Sequence, residues 1–263
     1  MQDMLGRSVR LTQTPQRIIS LVPSQTELLH ALGLDDRVVG ITQFCVHPPA
    51  WKRKKTIVGG TKRLHFDRIT ALQPDLIIAN KEENNQADIE QLEAICPVWV
   101  SDVSSIETAT QMILEVGQLT DTSSKAIEIV EHIARARLEL NQFPICSVAY
   151  LIWNDPIMTV GGDTFINAML HAAGFENIYA DRKRYPTLDL EQLAEKQPQY
   201  LLLSSEPFPF KAKHVQRFEN VLKHTKVVLV DGEYFSWYGS RMQEAFSYFS
   251  VLRNSVDLTD KSS

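Results

Sequence analysis

The sequence predicts an α/β protein of two lobes, each built on a parallel sheet, joined by a single long helix. Three observations carry that prediction. The chain repeats itself: Asp67 stands six residues before Gln73-Pro74, and Glu191 stands six before Gln197-Pro198, so both features recur at an offset of 124 residues. Each Gln-Pro pair leads into an apolar run, 75–79 or 199–203, and a second echo joins Leu29-His30-Ala31-Leu32-Gly33-Leu34 to Leu170-His171-Ala172-Ala173-Gly174-Phe175. Self-similarity over so long a period describes a duplicated lobe rather than a stack of short repeats. The second observation is a strict alternation of short apolar runs with helical periodicity in both halves, and the third is a long helical stretch between them.

Arg17–Val22 is a continuous apolar run of strand length, broken by Pro23-Ser24 before Thr26–Leu32, whose spacing is helical and which stops at Gly33. Strands follow at 38–41, 76–79 and 98–100, with helices at 66–72 and 87–95 between them. Strand–helix alternation of this kind packs helices on both faces of a parallel sheet. Ser104 and Glu107 have capping-box spacing and open a helix to about Leu119. A second helix carries the stripe Ile127, Val130, Ala134 and Leu138 and ends before Pro144. The second lobe repeats the alternation, with strands at 145–151, 200–203 and 226–230 and helices at 164–173, 190–196 and 213–222. A last helix opens at Ser240, with Gln243 in capping-box register. The predicted division is an N-terminal lobe at 1–115, a connecting helix at 116–143 and a C-terminal lobe at 144–263.

Bulk properties narrow the function. With 263 residues, 44% hydrophobic and 22% charged, the chain has material for two cores. A net charge of −5 supplies no electrostatic case for a nucleic-acid partner, and Lys52-Arg53-Lys54-Lys55 reads as a solvated loop. No apolar stretch approaches the ~18 residues of a membrane span. The first residues lack a basic segment followed by an apolar one, so the expected location is the cytoplasm if Met1 is the native start and the periplasm if a leader was removed. Cys45, Cys96 and Cys146 are too few and scattered for a disulfide framework; Cys96 and Cys146 read as small buried hydrophobes. Neither Val58-Gly-Gly-Thr-Lys62 nor Val160-Gly-Gly-Asp-Thr164 has phosphate-loop spacing, and the hydrolase, zincin and dinucleotide motifs are missing from the sequence.

Two groups of residues suggest binding chemistry. Phe44, Cys45 and His47 lie in a loop that follows a strand, at the carboxyl edge where open α/β sheets take ligands. The thiolate and imidazole of Cys45 and His47 suit Zn²⁺ or an axial contact to a corrinoid cobalt, with His65 as a further donor, although packing explains the pair equally simply. Trp153, Tyr185, Phe208, Phe210, Tyr234, Phe235, Trp237 and Tyr238 fall mostly in loops at strand ends, with Arg241 close behind. Large flat side chains there suit a planar ligand such as a corrin, a haem-like ring or an aromatic chelator, and Arg241 suits a ligand carboxylate or phosphate. Phe235 and one of Phe208 and Phe210 are expected to be core.

Asp3-x-x-Gly6-Arg7-x-Val9-x-Leu11, the segment from Pro15 to Glu27, Ile69-x-x-Leu72-x-Pro74-Asp75-Leu76-Ile77, the connector helix and Gly161-Gly162-Asp163 together resemble the class III solute-binding proteins of ABC transporters. This is the cobalamin and iron-chelate receptor family, also called helical-backbone metal receptors. The resemblance implies two Rossmann-like lobes with a corrinoid or an iron-siderophore-like chelate held in the interlobe cleft for delivery to an ABC permease. It also implies a monomeric, periplasmic binding protein, not an enzyme, that neither spans the membrane nor binds nucleic acid. Within it, Glu191 and Asp67 match the carboxylates that dock on permease arginines, Asp67 standing where the family usually has Glu. Thr61 and Asn80 stand where cobalamin receptors often place tryptophans. No resident cofactor is assigned; the candidate bound groups are a metal chelate, a corrinoid or Zn²⁺. The alternatives are a cytoplasmic protein of the same fold that handles a metal complex, and a metal-dependent enzyme built on the same cleft.

Overall fold

The structure is a computed structural model that describes residues 1–260, with side chains to residue 256. The chain forms two compact units: Met1–Val103, Glu107–Ala134 and Tyr238–Arg241 make the first, and Ser104–Ile106, Arg135–Trp237 and the chain from Met242 make the second.

The first unit holds a five-stranded sheet of β1 (Ile18–Ser20), β2 (Val38–Ile41), β3 (Thr56–Ile57), β4 (Leu76–Asn80) and β5 (Val98–Ser101), in the order β3-β2-β1-β4-β5. All its pairs are parallel. β4 is buried at all five positions, as a strand covered on both faces must be, which is why it reads as an unbroken apolar run. Helices α1 (Pro23–Ala31), α2 (Trp51–Lys54), α3 (Phe66–Ala71), α4 (Gln86–Leu92) and α5 (Ile106–Leu119) follow in turn. The boundary between units falls within α6 (Ser123–Glu139), after Ala134. Ile19, Leu21, Ile77, Ala79, Leu92 and Val98 share one buried cluster.

The second unit carries β6 (Cys146–Asn154), β7 (Ile157–Thr159), β8 (Phe175–Asn177), β9 (Tyr200–Ser204) and β10 (Lys226–Val230), in the order β10-β9-β6-β7. β8 pairs in parallel with the first half of β6, while β7 forms an antiparallel hairpin with its last half. The sheet is therefore parallel except at one edge. Its helices are α7 (Phe165–Ala172), α8 (Leu190–Lys196), α9 (Ala212–Val221), α10 (Glu233–Ser236) and α11 (Met242–Asp260). Ala149, Leu151, Leu193, Leu201, Leu203 and Phe218 form its core.

The sequence echoes are repeated helix stops. Gln73 after α3 and Gln197 after α8 both take left-handed φ, 45° and 43°, and the proline that follows each prevents the helix from resuming. Gly33 and Gly174 do the same after α1 and α7, with φ of 78° and 76°. The residue beyond each Gln-Pro then fastens the next strand to its neighbour. Asp75 accepts the Gln16 and Arg17 amides at 2.7 and 2.8 Å, and Gln199 accepts the Ser147 amide at 2.8 Å.

Several short elements depart from the sequence reading. Lys52–Lys54 is one turn of helix rather than loop, anchored by Trp51, which is buried and donates its indole N–H to Asp35 at 2.8 Å. α1 begins at Pro23, three residues before the predicted start, because proline is well placed in a first helical turn. α11 opens at Met242 rather than Ser240. Among the described residues no helix is long and apolar enough to cross a membrane.

Candidate functional site

In the first unit the carboxyl ends of the strands sit on two buried polar networks. Thr26 Oγ1 lies 3.0 Å from Cys45 Sγ and 2.8 Å from Ser20 Oγ, and Thr42 Oγ1 lies 3.2 Å from the same sulfur. Burial pushes the Cys45 thiol up, against the opposing pull of these hydroxyls, so it is held as a neutral SH. His47 is half-buried, and among the described residues no three His, Cys, Asp or Glu side chains converge to hold a metal ion. The Cys45 sulfur is in contact with both threonine hydroxyls. His65 is exposed on the approach to α3.

The second network joins Gln25 Nε2 and Asn80 Nδ2, which both donate to Ser101 Oγ, at 2.5 and 3.0 Å. Asn80 Oδ1 in turn accepts the Glu82 and Glu83 amides at 2.8 and 3.1 Å, fixing the loop after β4. An asparagine here is thus a loop organiser, which accounts for its presence where a flat aromatic was an alternative. Phe44 has 52% of its surface exposed and lies against Gly60, where any Cβ would meet the ring at 3.0 Å.

Arg241 was expected to meet a ligand anion, but its fork is committed within the first unit. Nε and Nη2 donate to the two oxygens of Glu27 at 3.0 and 2.5 Å, a bidentate pair that uses the geometry only arginine offers. Tyr238, beside it, is buried at 8% exposure, and burial raises its phenol. Arg241 itself is half-buried.

In the second unit the aromatic residues divide by exposure. Trp153, at the end of β6, is 39% exposed; its N–H donates to the Asp155 carbonyl at 3.0 Å and its ring meets Phe208 edge-on at 5.7 Å. Tyr234 is half-buried and stacks on Tyr248 at 4.5 Å, while Tyr185 is half-buried with the Arg184 guanidinium 5.8 Å from its ring. Phe235 and Phe210 are core, as expected. Trp237 is only 6% exposed, because its N–H is drawn to Glu206 Oε1 at 2.9 Å.

Glu206 is the residue that the sequence reading missed. It follows β9, and its Oε1 also accepts the Ser236 hydroxyl. Burial pushes its carboxyl up, the charges of Glu233 and Asp231 add to the rise, and the two donors oppose it. The signal available was Ser204-Ser205-Glu206-Pro207 at the end of a buried strand, a charged residue at a sheet edge. Asp67 and Glu191 are both exposed, each in the first turn of its helix, α3 and α8, and Asp189 caps the latter through the Glu191 amide at 3.0 Å.

A family model described as "Periplasmic binding protein" matches residues 18–228. An uncharacterised ABC transporter substrate-binding lipoprotein, YvrC of Bacillus subtilis, is 28% identical over 259 residues, covering 92% of this chain and 81% of its own. The vitamin B12-binding protein of Vibrio parahaemolyticus is 29% identical over 196 residues, 72% of this chain and 70% of that one. Among solved structures, the periplasmic vitamin B12 binding protein BtuF of Vibrio cholerae superposes with a TM-score of 0.79 at 21% identity, covering 93% of this chain and 98% of that one.

Proposed function

We propose, from the premise that the chain belongs to the periplasmic binding protein family, that its cargo is a corrinoid handed to an ABC permease. The protein is a solute-binding protein and not an enzyme, as its family and relatives are. The corrinoid reading rests on one observation above the others: a relative named as a vitamin B12-binding protein is 29% identical over 72% of the chain. Phe44, Trp153, Tyr185, Tyr234 and Trp237 are the side chains we assign to ligand contact. We place the protein outside the cytoplasm, a reading supported by a family described as periplasmic and a relative named as a lipoprotein. Asp67 and Glu191 are the proposed contacts to permease cations, since exposed carboxylates orient a partner whose positive charges match them.

Titrating cyanocobalamin, dicyanocobinamide, haem and a ferric hydroxamate against the purified protein tests this reading. A corrinoid should quench tryptophan emission to saturation, and Trp153→Ala should weaken its binding about tenfold through loss of an aromatic contact. A saturable response to the ferric chelate alone would replace the corrinoid with a siderophore, and silence towards all four would remove the binding reading altogether.

A further inference from the structure

The carboxyl ends of β9 and β10 bring together three acidic residues, Glu206, Asp231 and Glu233. Their chemistry differs. Asp231 is exposed and serves its own loop, accepting the Glu233 amide at 3.1 Å. Glu206 is half-buried, wedged against Gly232, where a Cβ would collide with its Cγ at 2.9 Å. One of its oxygens, Oε1, takes both the Ser236 hydroxyl and the Trp237 indole N–H, while Oε2 accepts no hydrogen bond among the described residues. Neither Glu206 nor Asp231 forms an ion pair there either.

A partly desolvated carboxyl with one oxygen satisfied and the other open, next to other carboxylates, favours a ligand that brings an N–H donor or positive charge. It opposes a ligand that brings a carboxylate. We infer that Glu206 is the specificity-determining residue of the ligand site, using Oε2 to accept an amide N–H of the cargo and to turn away anionic chelates. The inference rests on the corrinoid reading above and deepens it: corrin side chains are amides, whereas haem carries propionates. Trp237 is then held in place by the same carboxyl group that reads the ligand, so recognition and loop position are set by one side chain.

Glu206→Gln tests this because it inverts polarity with little change of shape. Ser236 and Trp237 are both donors, so they retain the amide oxygen and leave the NH₂ facing the ligand. Dicyanocobinamide affinity should fall about tenfold, the loss of one charge-assisted hydrogen bond, and haem affinity should rise. Glu206→Asp is the second variant, keeping the charge but drawing it back by one methylene; it should weaken dicyanocobinamide without improving haem. Equal dicyanocobinamide affinity in wild type and both variants would overturn the role of Glu206 while leaving the corrinoid reading in place. Haem binding by the wild-type protein without any corrinoid binding would overturn both.

Discussion

Arg253→Ala should unfold the second unit at markedly lower temperature. Arg253 is fully buried on α11, and its guanidinium ties together three chain segments. Nη1 donates to the Ala173 and Gly174 carbonyls at 3.1 and 2.7 Å, and Nη2 donates to the Pro144 carbonyl at 2.7 Å. Phe175 and Phe143 lie 4.6 and 5.0 Å from the cation. The acceptors at Ala173 and Gly174 are the carbonyls at the end of α7, where a cation also complements the helix dipole. Truncation removes those donors and leaves a cavity, at a cost of roughly 3–5 kcal/mol. For a protein of this size that lowers the melting midpoint by roughly 6–20 °C. Arg253→Lys should recover only part of the loss, because a single ammonium does not reproduce the planar fork. Calorimetry of the three proteins decides; a midpoint for Arg253→Ala within about 2 °C of wild type would mean that α11 is held by its apolar face alone.

Reversing the two proposed docking charges, Asp67→Arg with Glu191→Arg, should abolish productive contact with the permease while sparing the ligand. Both carboxylates are exposed, so the fold loses only the favourable placement of an acid in a first helical turn, about 0.3–1 kcal/mol each. Against a partner that presents cations, the same change converts attraction to repulsion, which acts strongly on encounter and orientation. Permease ATPase activity stimulated by the loaded protein should fall more than tenfold at low salt, with corrinoid affinity unchanged. Each single variant should fall by less, and raising the ionic strength should narrow the difference from wild type. Undiminished stimulation by the double variant would place the docking surface elsewhere.

Much of the fold was legible because helix stops and buried strands leave strong local signals. The Gln-Pro and Gly echoes predicted a duplication, and they prove to be left-handed helix ends in equivalent places. β4 and β9 announced themselves as fully apolar runs because both faces are covered. The elements left unread, β3, β7, β8, α2 and α10, are two to four residues long and owe their form to neighbouring strands and to tertiary anchors such as Trp51. What surrounds the candidate residues was not legible. Aromatic residues do gather at strand ends, yet no local pattern distinguishes exposed Trp153 from Trp237, whose burial follows from a carboxylate 31 positions away. Arg241 likewise looked available because its partner, Glu27, lies 214 residues earlier in the chain. Cys45 carried a metal-like spacing with His47, and of the two threonine hydroxyls beside its sulfur Thr42 is three positions away in the same loop while Thr26 lies 19 positions earlier in α1.

The central claim, that this is a carrier of an intact corrinoid, is tested most directly by equilibrium dialysis of the purified protein against cyanocobalamin and dicyanocobinamide, followed by chromatography of what is released. Saturation at one corrinoid per chain and recovery of the ligand chemically unchanged are expected. Absence of saturable binding to either corrinoid, or recovery of an altered product, would contradict it.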